Sequence, residues 1–468
     1  MALSIGLSTA VQALRAHQLA VDVASHNIAN AQTPGFSRQR VILRPIGITG
    51  SSWSSSDSLL GRAGMGVDAS DVNRIRDLFL DFQARQTMGT NAEHQAFSDA
   101  LGRAELTFSE PSDAGMGALL GQFYDAWHDV VNDPESPAAR VALVHATTTL
   151  TANIQRASND LGTIRRDVNS DIVSMQDEIN SRSQEVAELN QQIVQVEANG
   201  DVANDLRDRR DLLVDELSKI ANISYSENPN HSLNIYLGSH ELVAGPQFDK
   251  VQAIMDLSNP GMQKLVFAGD QLDVNTTSGK LRGLIDVRDT AIPGLSAKLD
   301  TFAQQLISQV NAIHKGGFGL DGTTNLDFFS GTGAADIALN PTLAANTDKI
   351  AASDTPGTVG NGKNALAIAD LQHTASAALG NTTFDQFYGN MVSVLGADVA
   401  RSKGLAESSG LLNQHIEAQR QGVQGVNIDE EVTNMNASQH AYQAAARVIT
   451  TIDQMLDTLI NNTGMAGR

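Results

Sequence analysis

The first thirty residues constrain this chain more than any other stretch. Two series step through them at intervals of seven: Leu7, Leu14, Val21 and Ile28 on one line, and Leu3, Ala10, His17 and Ala24 on the other. Alternating gaps of four and three residues define an amphipathic helix with a narrow, coiled-coil-like seam. A solvated helix carries charge opposite its apolar stripe. Here Arg15 and Asp22 are the only full charges between Met1 and Ser37, and Ser, Thr, Ala, Gln and Asn fill the outer positions. Such a helix is expected to pack on several sides. Its stop signal is Asn27, Asn30 and Gln32 leading into Thr33-Pro34-Gly35-Phe36. Proline biases the residue before it away from helical geometry and Pro-Gly is a tight-turn pair, so the helix ends near Asn30, with Phe36 as an apolar anchor beyond it.

The other end of the chain answers this helix. Ile428, Met435, Tyr442, Ile449 and Leu456 repeat every seven residues, with Val432, Ala446 and Ile460 on the adjoining position. Asn427 or Asp429 caps the start, and Glu430 and Glu431 suit the positive end of the helix dipole. Between the two ends, residues 46–66 read as a Ser- and Gly-rich linker and 67–75 as an extended piece. Helical pattern runs from Asp77 to Phe108, and again over Leu119–Val131. The longest regular segment, about 138–198, has Ile154, Leu161, Val168 and Met175, then Ile172, Ile179, Val186 and Ile193, at seven-residue steps. It reads as a long coiled-coil-like helix, and Ala203–Ile220 as a second helix folding back on it. Within the latter, Arg207, Arg209 and Arg210 interleave with Asp205, Asp208 and Asp211, the pattern of a salt-bridged, solvated helix surface. Short β-like runs punctuated by Asn, Pro and Gly over 222–275 indicate a small antiparallel lobe. Helix returns over 279–314, gives way to an irregular stretch with nine glycines over 316–365, and resumes at Ala365–Leu379 and from Phe384 to about Gln421.

Composition narrows the function classes. At 468 residues there is room for about three domains of about 150 residues each. The chain is 41% hydrophobic but only 4% aromatic, which suits long helices better than one large globule. A net charge of −21 argues against nonspecific binding to nucleic acid or anionic membrane, since both need basic patches. There is no cysteine, hence no disulfide and no thiolate site. No apolar run reaches the ~18–20 residues of a membrane span, and the N-terminus lacks the pattern of a cleaved signal peptide. The 11 histidines never pair at helical spacing, which excludes an HExxH zinc motif. Gly331-Thr332-Gly333 lacks the rest of a dinucleotide loop, and Asp321-Gly322 lacks the ligands of a calcium loop. No catalytic, metal or cofactor constellation emerges, so the protein is expected not to be an enzyme.

The stretch SHNIANAQTPGFSR resembles the N-terminal signature of the bacterial flagellar axial proteins, with Phe36 where that family usually has tyrosine. GKLRGLIDVRDTAIPGLSAKLDTFAQQL and GVNIDEEVTNMNASQHAYQAAARVITTIDQMLDTLI are similar to the matching regions of its junction-type hook-associated members. The resemblance implies a structural subunit at the first hook–filament junction, exported without a cleaved signal and located in the extracellular flagellum. It implies a mainly α fold. Residues 1–45 and 425–468 would pair as a coiled-coil-like inner domain, 46–76 would link, and 77–424 would form a helical-bundle body with the β lobe. The expected assembly interface is Leu3, Leu7, Leu14, Val21, Ile28, Pro34, Gly35, Phe36, Ile428, Val432, Met435, Tyr442, Ile449, Leu456 and Ile460. Expected partners are further copies of the chain, the hook protein, the second junction protein, and an export chaperone at the C-terminal helix. The alternatives are another axial protein such as the hook subunit, which a β-dominated middle would favour, and a cell-wall hydrolase on a flagellar scaffold.

Overall fold

The computed structural model describes residues 2–46, 66–108 and 110–462, with side chains from Gly6 to Ile460 within those ranges. Most of the expected linker, and the side chain of Leu3, lie outside the described residues. Helix α1 spans Ala2–Asn30. Strands β1 (Gln39–Pro45) and β2 (Val67–Arg74) then pair antiparallel, with Val41 opposite Val72 and a bulge after Ile42. Helices α2 (Leu78–Phe108), α3 (Met116–Asn132), α4 (Pro137–Ala198) and α5 (Asn204–Ile220) follow. At 62 residues α4 is about 93 Å long and forms the spine of the body. Ser136 caps its start by accepting from the Ala139 N–H, with Pro137 in the first turn, where a missing N–H costs nothing. The two heptad lines read along it are buried throughout. Charged residues cover its other faces.

The β lobe consists of a four-stranded meander, β3 (Ile223–Glu227), β4 (Leu233–Leu237), β5 (His240–Ala244) and β6 (Gln247–Phe248), and a hairpin of β7 (Val251–Met255) and β8 (Gln263–Phe267). Two asparagines of α4 dock it. The Asn190 amide accepts from the Leu233 N–H at 2.9 Å and donates to the Leu233 carbonyl at 2.8 Å, and Asn180 makes the same pair with Val251, both bonds at 2.8 Å. Each side-chain amide thus stands in for a strand edge and satisfies backbone that burial would otherwise orphan.

Helix α6 (Lys280–Asp286) runs through one π turn into α7 (Ile292–His314). The glycine-rich stretch that follows holds β9 (Phe329–Ser330), β10 (Ala338–Leu339), α8 (Pro341–Ala345) and α9 (Lys363–Ala369). It folds around the end of α7. Fully buried His314 donates its Nδ1–H to the Leu326 carbonyl (2.7 Å) and accepts the Ala351 N–H at Nε2 (3.0 Å), and burial pushes its pKa down to about 4. Arg140, at the start of α4, donates to the carbonyls of Thr347 and Ile350, so this segment caps the end of the spine remote from α5. The helix expected over Ala365–Leu379 stops at Ala369. A 3-10 turn takes over, and a bridge between Ser376 and Thr382 pulls the chain out of helical geometry.

Helix α10 (Phe384–Gln424) opens with a capping box between Thr383 and Gln386 and runs antiparallel to α2, with Thr87 on Asn413 and Asn91 on Ser409. Helix α11 (Ile428–Asp457) is capped by Asn427, whose side chain accepts from the N–H groups of Asp429 and Glu430. One contiguous core runs from Ala96 to Leu395, and the terminal helices contribute nothing to it.

Candidate assembly interface

Helices α1 and α11 lie side by side and antiparallel. Gly6 sits against Ile452, and the Ser25 hydroxyl approaches the Met435 sulfur at 3.8 Å. Ala10, Ala16 and Ala24 are buried on α1, and Glu431, Ala445 and Ile452 on α11. Small residues let the two backbones approach closely. Leu7, Leu14, Val21 and Ile28, with Met435, Tyr442, Ile449 and Leu456, flank this line half-buried. The hairpin β1–β2 covers another side of α1, which accounts for its lack of charge: the side chain of Gln12 and the chain at Thr9 lie against Gly66.

The register of the second line on α11 differs from the expected one. It runs through Glu431, Ser438, Ala445 and Ile452, one residue earlier than Val432, Ala446 and Ile460. Ile428, Val432 and Ile460 are 48%, 38% and 73% exposed and do not close this seam. The reason is a polar stitch at its start. Asn27, fully buried, donates to the Gln39 carbonyl (2.8 Å) and to Glu431 (2.9 Å), and accepts the Gln39 N–H (2.9 Å). Glu431 also accepts from Arg38 at 2.7 Å, and Arg38 donates to Glu430. An acidic side chain therefore occupies the position that an apolar pattern assigns to its neighbour. Asn27 is no stop signal. Asn30 ends α1, its carbonyl accepting the Thr33 N–H at 2.9 Å.

Pro34 and Gly35 are exposed, and Phe36 packs edge-on against His26 at 5.4 Å between centroids. Gly35 has φ +79°, and a Cβ there would meet the Leu212 side chain at 3.1 Å. The turn thus rests directly on α5, with backbone geometry that favours glycine.

Beneath the turn lies the joint between terminal pair and body, and it is ionic. Asp208 of α5 accepts the Ser37 N–H and one N–H of Arg74, both at 2.8 Å. Asp211 accepts from Arg74 and Arg76 at 2.8 Å each, and Asp215 from Arg85 and Arg420 at 2.7 Å each. Arg210 is buried and donates to Asn190 and to the His231 carbonyl. This corrects the reading of α5 as a solvated surface: Asp208, Arg210 and Asp215 are 2–5% exposed. Their cations come from α2, α10 and the end of β2, more than 100 residues away in sequence, where no local pattern reveals them. A usable signal was present. Asp208, Asp211 and Asp215 share one helix face, and three acids in line need opposite charges nearby.

Burial pushes the Asp211 carboxyl up, but Arg76, Arg74 and Arg85 outweigh it and hold the group well below the usual carboxylate range. A depressed folded value contributes stability above the unfolded pKa of about 3.9 and loses it as pH falls through the folded value. Asp208 behaves oppositely. Burial raises its pKa despite Arg74 and the Ser37 N–H, so its ionisation opposes folding until acid protonates it. Asp211→Asn is accordingly expected to be less stable than the parent at neutral pH, and to lose less further stability between about pH 4 and pH 2. Urea titrations across that range check this; parallel curves would count against it.

Among the described residues no group of three or more His, Asp or Glu could hold a metal, and no helix is long and apolar enough to cross a membrane. What remains is a rod-like helical body, carrying on an ionic joint a two-helix unit made of both chain ends. This is the architecture that the resemblance of the chain ends to the bacterial flagellar axial proteins implies. The family model for the flagella basal body rod protein matches residues 7–36, and that for the FlgEFG basal body rod C-terminal region matches 422–462. The model for the helical domain of the flagellar hook-associated protein FlgK matches residues 101–329. The flagellar hook-associated protein 1 of Bacillus subtilis (strain 168) is 27% identical, over 99% of both chains. That of Escherichia coli (strain K12) is 24% identical, over 97% of this chain and 99% of its own. The solved structure of the flagellar hook junction protein FlgK from Burkholderia pseudomallei shares the fold. Its TM-score is 0.66 at 16% identity, covering 73% of this chain and all of that one. The chain thus carries the FlgK helical domain between two rod-type ends, and over nearly its whole length it is similar to flagellar hook-associated proteins 1, structural components of the flagellum.

Proposed function

We propose that this protein is the structural subunit of the first hook–filament junction, self-assembling through its terminal helices into the inner wall of the axial tube. The observation that carries the reading is the unfinished packing of that pair. Ile428, Val432, Val448 and Met455 on α11, and Ile460 in the π turn after it, are each 38–73% exposed, and two helices alone bury little area against the entropy of ordering them. Neighbouring copies supply the missing cover. Leu3, the seam residues, Pro34, Gly35 and Phe36 form the assembly unit, with 1–45 and 425–468 as its halves, 46–76 as connection and 77–424 as body. The hook protein lies on one side and the second junction protein on the other. Before export a chaperone holds the C-terminal helix, and the chain leaves the cell without cleavage of a signal. The alignment to the Escherichia coli relative spans 554 positions against 468 residues here, which fits a reduced outer domain.

Cells lacking the protein are expected to carry hooks without filaments in electron micrographs; intact filaments would refute the reading. Ile428→Ser combined with Val432→Ser tests the faces. Surface changes of this kind alter stability by about 0.5 kcal/mol or less, so monomer melting is expected to stay unchanged while filament-bearing cells become rare. Normal filament counts would assign the exposed residues no part in assembly.

A further inference from the structure

The body carries an exposed apolar knob and, elsewhere, an apolar hole. At the start of α2, Leu78, Phe79 and Phe82 are 76%, 67% and 57% exposed. In a chain with 14 Phe and 4% aromatic residues, two rings in water at one helix end are costly, since each carries a large apolar area. About 27 Å further along α2 lies a cleft of about 370 Å³ between α2, α7 and α10. Phe97, Leu101, Leu295, Val394 and Leu405 form its walls; Lys298, Arg401 and Asp398 stand on its rim, with Arg401 paired to Asp398 at 3.2 Å. Val394 and Leu405 remain 48% exposed.

We infer that the Leu78–Phe79–Phe82 knob of one copy seats in this cleft of the next copy, deepening the reading of the protein as a repeating axial subunit and resting on it. Charge and symmetry argue for a second copy as the occupant. Asp77, exposed beside the knob and capping α2 through the Phe79 N–H, faces Lys298, the rim cation with no ion pair among the described residues, whereas the net charge of −21 would otherwise hold copies apart. A knob and a hole on different parts of one surface make a head-to-tail contact. Such contacts close into rings or run on as helices instead of stopping at a dimer. The offset along α2 steps each copy relative to the next along the body axis.

The absence of cysteine makes the test direct. By the register of Asn91 with Ser409, Leu405 lies near Gln95, about 24 Å along α2 from Phe79. A disulfide between those two positions within one chain is therefore excluded. Cells producing Phe79→Cys with Leu405→Cys, oxidised after assembly, are expected to yield a covalent ladder of chain multiples from isolated flagella, and either single variant none. Gly294→Leu blocks the hole from its own helix, into open space. Its melting is expected to equal or exceed that of the parent, because leucine suits a helix better than glycine. Its incorporation is expected to fall about tenfold or more. Filaments that assemble without a ladder, or normal incorporation of Gly294→Leu, would overturn the contact while leaving the junction reading intact. Only the deletion phenotype bears on that reading itself.

Discussion

Asp215→Ala is expected to destabilise the body by about 3–5 kcal/mol, the range for removing one partner of a buried ion pair. Asp215 is 5% exposed and bridges Arg85 of α2 and Arg420 of α10, each 7–8% exposed. Its loss strands two guanidinium groups in a site that water barely reaches. Arg85 keeps the face of the Tyr225 ring, 4.4 Å away, and a weaker approach to Asp211 at 3.4 Å, while Arg420 keeps Glu417 at 3.1 Å. These residual contacts set the lower end of the range. Adding Arg420→Leu to Asp215→Ala is expected to recover part of the loss, because an apolar side chain needs no counter-charge. Denaturant melts of the four proteins in the cycle measure the coupling. A single-variant cost below about 1 kcal/mol would mean that the cluster behaves as a solvated surface after all.

The second large effect is expected at Ile452. This side chain is 8% exposed and touches the Gly6 position of α1. The cation on α1, Arg15, lies nine residues further along, about 13 Å away along the axis. Ile452→Asp therefore places a carboxylate in the seam beyond the reach of Arg15, the one Lys or Arg among the described residues of α1, which folding strongly disfavours. Because the contiguous core of the body includes neither terminal helix, the main thermal transition is expected to stay within about 1 °C of the parent. Incorporation into the flagellum, by contrast, is expected to be abolished. Motile cells with normal junctions would remove the seam from the assembly scheme, and a large drop in the main transition would merge the terminal pair with the body.

Periodicity carried most of the fold into view. A seven-residue repeat depends only on the helix itself, so α1, α4 and α11 were legible from Leu7, Ile154 and Met435 onward, and the hairpin of α4 with α5 from Asn199-Gly200. Polar exceptions were not legible. Glu431 and Ser438 occupy the packed line of α11 because Asn27 and Arg38 satisfy the first, and those partners lie about 400 residues upstream. The acids of α5 were misread for the same reason. Alternating charge on a helix looks solvated until the chain brings in arginines from three other elements. Proximity of α1 and α11 followed from matching seams, but which half of each seam the pair itself covers depends on backbone separation, and that is set by Ala10, Ala24 and Ala445.

The Arg38 N–H donates to the Gln424 carbonyl at 2.8 Å, a single backbone contact across the joint with a kinetic consequence. Asn27 and Glu431 are 404 residues apart along the chain, which makes the seam one of the most non-local contacts possible in this protein. Once the body has folded and that backbone contact exists, the remaining path from Asn27 to Glu431 shrinks to about twenty residues. Loop-closure entropy grows only with the logarithm of length, so the shortcut removes about 3 kcal/mol from the cost of closing the seam. The last event of folding is then as local as forming a helical hairpin. Its rate is governed by how long the two chain ends are kept apart, and not by how far apart they were written.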